Sequence, residues 1–322
     1  MDKLSFSASD PIIEEICTMD LERLKELIYK TSVVAWANDI SSQRIEKWLD
    51  NFNGSAIGDP KAEKILAAWM LLNFVFYTLD DVRSFCKSIY EDYIHQKLIE
   101  YKESGKLNHY GIPKQIEYIV SNTVFVALGN DSESGSNILY FFRQENHLPK
   151  RVFEKNGKAN VENIVFIDDV TISGIQACQY IRDNTLIAEK KYLLTFISTL
   201  DAIDRLEEEE VTVLSGNVIS DREKCFSTDS YVFANEDKNK FLDITKSMCI
   251  SYGEKILLGH IDLSDHPLGF DDGQQMFGFY YNTPDNSLPI FWCSLNKWSP
   301  AFKRYDKIYG RKAVNFDDSI YI

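Results

Sequence analysis

Basic residues are in the minority in this chain, and the shortfall excludes one class of partner. Against 49 Asp and Glu stand 35 Lys and Arg, a formal net charge of −14, which repels phosphate backbones and anionic membranes wherever no local basic patch reverses it. Direct non-specific nucleic-acid binding is therefore not expected. Paired cysteines are missing too. Cys17, Cys86, Cys178, Cys225, Cys249 and Cys293 stand singly with no C-x-x-C spacing, so the expectation is buried free thiols in a reducing compartment, the cytoplasm. The start, MDKLSFSASDPIIEE, lacks the basic residues and apolar run of a secretory signal. The longest apolar stretch, ILAAWMLLNFVFYTL (65–79), falls short of the roughly 18–20 residues of a membrane span and is bracketed by Lys64 and Asp80-Asp81. It reads as a buried helix, and no membrane association is expected.

What the chain does have is apolar material, 44% of 322 residues, enough for a large core in a soluble globular protein of two domains. From Asp10 to about Tyr110 the apolar residues recur at three- and four-residue spacing. Asp10-Pro11 opens the first helix, and further helices are expected over 41–52, 60–80 and 81–103. This predicts an all-helical N-terminal domain over residues 1–112, with SGKLNHYGIP (104–113) as linker. After Pro113 come short runs apolar on both faces: TVFVAL (123–128), NIVFI (163–167), KYLLTFIS (191–198) and VTVLSG (211–216). Helical stretches at 137–145, 174–188 and 201–209 lie between them, the pattern of β-α-β units in a parallel sheet. Residues 113–322 are thus expected to form an α/β domain ending in an irregular, aromatic-rich segment. The acidic run Glu207 to Glu210 reads as a solvated helix end.

The stretch IVFIDDVTISG (164–174) sets an apolar strand against two adjacent carboxylates, Asp168 and Asp169. In an open parallel sheet, ligands bind outside the carboxyl ends of the strands, where loops lead into helix N-termini. The following helix, IQACQYIRD, offers free backbone N–H groups and the positive end of its dipole to a phosphate. Thr171 and Ser173 add hydroxyl donors, and Gly174 permits close approach. Two acids beside a phosphate nest suit a sugar phosphate whose hydroxyls are held directly or through Mg²⁺. The alternative is an acid pair that caps the helix at 174. A haloacid-dehalogenase reading requires D-x-D-x-T, which is absent here. HIDLSDH (260–266) has the spacing of no common zinc site.

This arrangement resembles the phosphoribosyl-pyrophosphate (PRPP) signature of type I phosphoribosyltransferases. The resemblance implies a phosphoribosyltransferase-like parallel sheet flanked by helices. It makes Asp168 and Asp169 the catalytic, ribose-holding and Mg²⁺-binding acids, and Thr171, Ser173 and Gly174 the phosphate loop. TVFVALGNDSESGSNILYFFR places a strand, a loop and a helix upstream, where the family has its pyrophosphate loop, which makes Gly129, Ser134, Gly135 and Ser136 its counterparts. HPLGF (266–270), YNTPDNSLPIFW (281–292) and WLDNF (48–52) resemble one divergent branch, the phosphoribosyltransferase-like proteins predicted to act in bacterial conflict and antiviral systems, some encoded beside retron reverse transcriptases. Membership of that branch implies a PRPP or nucleotide ligand, and a protein partner within a defence complex. The departures are Ile172, where many members have a polar residue; Gln176, often Thr or Ser; and an upstream loop carrying Asp131 and Glu133 without Arg or Lys. Two function classes follow: transfer or cleavage of a ribose 5-phosphate group, or a catalytically silent fold that senses a nucleotide or binds a partner.

Overall fold

A computed structural model describes residues 10–129, 134–153, 161–184, 186–234, 239–260, 263–302 and 304, with backbone only for 134–137. The chain forms two compact units, Leu79–Ser220 and a second made of Met1–Thr78 with Asp221–Ile322.

In the first unit, β2 (Thr123–Ala127), β3 (Val161–Thr171), β4 (Ala188–Thr199) and β5 (Val211–Ile219) form a four-stranded sheet in that order. Every neighbouring pair is parallel, as the doubly apolar runs require. The register runs Val126, Phe166, Leu193, Val213 in one row and Phe125, Val165, Tyr192 in the next. Since side chains alternate across a strand, the two rows serve opposite faces. The first row packs with Ala177, Cys178 and Ile181 of α8 (Ile175–Asp183) and Leu206 of α9 (Leu200–Glu207). The second meets α5 (Leu79–Glu103) and α7 (Ser134–Glu145). There Phe125 lies 5.3 Å from Phe142, and Tyr93 lies 5.2 Å from Tyr192. Each such buried aromatic contributes about 2–3 kcal/mol of hydrophobic stabilisation. α6 (Ile112–Ser121) leads into β2.

Gly216 of β5 makes the α5 face possible at its other end. A Cβ there would come within 2.8 Å of the Phe85 ring, which stacks on Phe196 at 5.1 Å. At the amino end of the sheet, buried Lys97 donates to Glu100 at 2.8 Å and to the Tyr192 hydroxyl at 3.2 Å. Burial works to raise the Glu100 carboxyl, but the hydrogen bonds from Lys190, Lys97 and Tyr192 outweigh it and hold its pKa down at about 2.

The second unit begins with α1 (Pro11–Cys17), α2 (Leu21–Ala35), α3 (Ser42–Leu49) and α4 (Pro60–Leu72). Asp10, Asp20, Ser41 and Asp59 cap these four helices by accepting a first-turn N–H. The unit ends with α10 (Leu242–Leu257), β6 (Phe277–Phe279) and the one-turn α11 (Pro289–Trp292). Trp48 and Trp298 both donate to the Ile290 carbonyl, at 2.7 and 2.9 Å. Asn51 and Ser299 exchange two hydrogen bonds, at 2.9 and 3.1 Å. Buried Glu63 closes the loop before α4 by accepting the N–H groups of Gly54, Ala56 and Ile57 and the Tyr252 hydroxyl.

Two expectations are corrected here. The helix expected over 60–80 ends at Leu72, and Val75–Tyr77 forms β1, parallel to β6. Its aromatic and β-branched residues suit a strand, and Phe277–Phe279 supplies the partner. The division expected at residue 112 is not the one observed. Helices α5 and α6 belong with the sheet, and residues from 221 onward complete the core of the N-terminal helices. The physical reason is that α1–α4 expose an apolar surface which the C-terminal aromatics bury, among them Phe291 stacked on Trp48 at 5.6 Å and Phe302 on Phe74 at 4.2 Å. All six cysteines are free. Burial pushes the Cys86 thiol up to about 12, so it is no nucleophile at neutral pH. Among the described residues no helix is long and apolar enough to cross a membrane.

Candidate functional site at the carboxyl end of the sheet

β3 does not stop at the acids. Strand β2 ends at Ala127, opposite Ile167, and the Leu128 N–H makes its last bond to the Ile167 carbonyl at 2.9 Å. Gly129, at φ 94°, then turns the chain in a conformation that a side chain would disfavour. Among the described residues β3 runs on past the end of β2, held by β4 through the pairs Asp168 with Thr195, Val170 with Ile197 and Thr171 with Ser198. Asp168 to Thr171 thus overhang β2, which ends opposite Ile167.

Regular strand geometry through the overhang sends the two acids to opposite faces. Asp168 shares the face of Phe166, toward α8 and α9, and is half-buried. Asp169 shares the face of Val165, toward α5 and α7, and is 8% exposed. Its Oδ1 accepts the Val170 N–H at 2.9 Å, and the buried Thr195 hydroxyl donates to its carbonyl at 3.1 Å. The cap position of the following helix is Gly174 rather than either acid, so the capping alternative is not the arrangement found. Thr171 is also displaced from expectation. It is the last strand residue, buried, with its hydroxyl unpartnered. Because β4 runs on to Thr199, pairing holds Thr171 in the sheet where a loop was expected.

The turn proper is Ile172-Ser173-Gly174. Gly174 sits in the left-handed region at φ 71°, and a Cβ would come within 3.2 Å of the Ala202 Cα and carbonyl oxygen. Thr199 caps α9 by accepting the Ala202 N–H at 3.1 Å and donates to the Ile172 carbonyl at 2.5 Å. Exposed Arg205 donates from Nε to the Ser173 carbonyl at 2.9 Å, which fixes a guanidinium beside the turn. Ser173 Oγ receives the Ile175 N–H at 3.4 Å, a weak bond, and the helical ladder begins with Cys178 N–H to Gly174 O at 2.9 Å. The first turn of α8 thus points N–H groups outward at the dipole's positive end.

Of the residues expected at the site, Gly129, Asp168, Asp169, Thr171, Ser173 and Gly174 all stand at this carboxyl end. Ser134, Gly135 and Ser136 open α7, and their side chains lie outside the described residues, as do Asp131 and Glu133. Thr199, Arg205 and Ser198 carry no motif and were not anticipated. The signal that finds Thr199 is its place as the cap of α9, one strand over. Asp168 and Asp169 are oxygen donors of the kind Mg²⁺ takes, but they stand on opposite faces of β3 and do not converge on one point. Among the described residues no group of three or more His, Cys, Asp or Glu converges on one point. His260 accepts the Leu263 N–H at 3.1 Å, a local bond, and Asp262 lies outside the described residues.

Residues 45–304 match the family described as PRTase-CE. Among solved structures, the crystal structure of orotate phosphoribosyltransferase from Aeropyrum pernix is similar at 14% identity, with a TM-score of 0.24, over 32% of this chain and 62% of that one. The chain thus spans less than two thirds of the length of that structure. No curated protein matches.

Proposed function

Since the chain belongs to the PRTase-CE family, phosphoribosyltransferase-like by its name, we propose that it binds PRPP or a nucleotide at the carboxyl end of β3. The 5′-phosphate lies on the Ile172-Ser173-Gly174 turn, and the ribose lies at Asp168 and Asp169. The observation that carries this reading is the overhang. It carries two carboxylates past the end of β2, one on each face of β3, and leads, three residues later, into a left-handed glycine turn at a helix N-terminus with Arg205 bound to its backbone. Phosphate is drawn by the helix dipole, the outward N–H groups and the guanidinium. Hydroxyls are drawn by the acids.

Asp168 or Asp169, each on its own face of β3, would hold Mg²⁺ together with oxygens of the ligand, and the ion would supply neutralisation of phosphate charge. The chemistry proposed is transfer or cleavage at the ribose C1, where positive charge develops as the bond to the leaving group breaks and the two acids stabilise it. Ile172 offers no proton to a base. Its place in the turn favours a second reading, a catalytically silent fold that binds the nucleotide to regulate a partner protein. A role in a bacterial antiviral defence complex, as in retron-type systems, is proposed from the sequence resemblance alone. The experiment is turnover: purified protein with Mg²⁺ is given PRPP and, separately, nucleotides. Release of pyrophosphate or free base supports the enzyme, whereas tight binding without release supports the regulator.

A further inference from the structure

Thr199 lies outside the motif, yet its one hydroxyl serves two elements. It caps α9 by accepting the Ala202 N–H at 3.1 Å, and its single proton goes to the Ile172 carbonyl at 2.5 Å. From the last turn of α9, Arg205 Nε donates to the next carbonyl, that of Ser173, at 2.9 Å. Two successive carbonyls of the turn are thus drawn to one side, toward α9. Both peptides are trans, and in a trans peptide the carbonyl and the N–H point opposite ways. The Ser173 and Gly174 N–H groups therefore both face away from α9, and neither has a hydrogen-bond partner among the described residues. Gly174 stands at φ 71°, and successive N–H groups at a left-handed turn form a concavity for an anion. Without the Thr199 bond the first of these peptides loses its anchor. Rotated by half a turn, it would present a carbonyl oxygen to the anion in place of a donor.

We propose that Thr199 is a positioning residue of the phosphate turn: from the junction of β4 and α9, its hydroxyl holds the Ile172 carbonyl back so that the Ser173 N–H faces the phosphate. Arg205 is the second anchor and does the same for the Gly174 N–H. Thr199 acts through the peptide, since its proton is committed to the carbonyl. The inference rests on the ligand reading above and names what holds its phosphate turn in shape. It also accounts for the side chain at this position. Valine would neither cap nor donate, and aspartate would cap without a proton to donate.

The test is calorimetric titration of ribose 5-phosphate into the full chain with Mg²⁺, at about 0.1 M and about 1 M salt. Thr199→Ser keeps both bonds and should bind as the parent does. Thr199→Val and Thr199→Asp should each bind about tenfold more weakly, the loss of one hydrogen bond to a charged group. Because aspartate retains the cap, its deficit reports the carbonyl bond alone. The repulsion that its charge adds is screened at the higher salt, where the tenfold ratio to the parent should persist. Parent-like binding by Thr199→Asp at the higher salt would show that the hydroxyl serves only the cap. Binding by Thr199→Ser as weak as that of Thr199→Val would show that the methyl group matters and the hydroxyl does not. Either result would overturn the positioning role and leave the phosphate site standing. A parent that does not bind ribose 5-phosphate would overturn the ligand reading, and this inference with it.

Discussion

Arg205 Nε donates to the Ser173 carbonyl at 2.9 Å, from α9 to the turn before α8. The bond ties the last turn of α9 to the turn before α8 and sets a positive side chain where a phosphate would add negative charge. Arg205→Gln should weaken phosphate-ligand binding about fivefold to tenfold at low salt and flatten its salt dependence. Stability should change by no more than about 0.5 kcal/mol, since the side chain is exposed. Titration at two ionic strengths checks both expectations.

Gly174→Ala places a Cβ in the left-handed region and against Ala202. The strain and contact should cost about 1–2 kcal/mol of stability, measured by urea unfolding, and should weaken ligand binding by reshaping the turn.

Glu63→Ala should be far more damaging, although it lies in the other unit. It would strip the acceptor from the N–H groups of Gly54, Ala56 and Ile57, and a loss above about 3 kcal/mol is expected. Loss of the cooperative thermal transition, or a deep fall in its midpoint, is the readout.

Acid stability carries the signature of Glu100. Its folded pKa, about 2, lies below the ordinary carboxylate value of about 4.3. The folded state therefore binds this proton less readily than the unfolded state. The contribution is present above about pH 4.3 and is lost as pH falls toward 2. Glu100→Gln should lower stability at neutral pH and flatten the acid limb of the stability curve between those values. A parallel curve for the variant would show that the Lys97, Lys190 and Tyr192 bonds do not set it.

How much of this could be read from the sequence differs by element. The sheet was legible because each strand is apolar on both faces, and TVFVAL and NIVFI proved to be parallel neighbours in one register. β1 was hidden because FVFY follows an apolar helix without a glycine or proline between them. The unit boundary was hidden for a different reason. What buries the N-terminal helices is a segment some two hundred residues away, and pattern along the chain does not report long-range contact. At the carboxyl end of β3, IDDVTISG marked the acids, the turn and the glycine. Aspartates and a threonine read as the end of a strand, yet pairing with the long β4 carries β3 through them and turns the two acids to opposite faces. Arg205 and Thr199 enter from neighbouring elements, and no spacing within the motif points to them.

The central claim is that a phosphate-bearing ribose ligand sits on the turn before α8, and a charge placed there tests it most directly. Calorimetric titration of ribose 5-phosphate with Mg²⁺ should give binding to the parent. It should give none to Ser173→Glu, whose carboxylate puts negative charge into the nest, and about tenfold or weaker binding to Asp169→Ala. Parent-like affinity in both variants, with the far-ultraviolet spectrum and melting temperature of the parent, would contradict the account and move the site elsewhere.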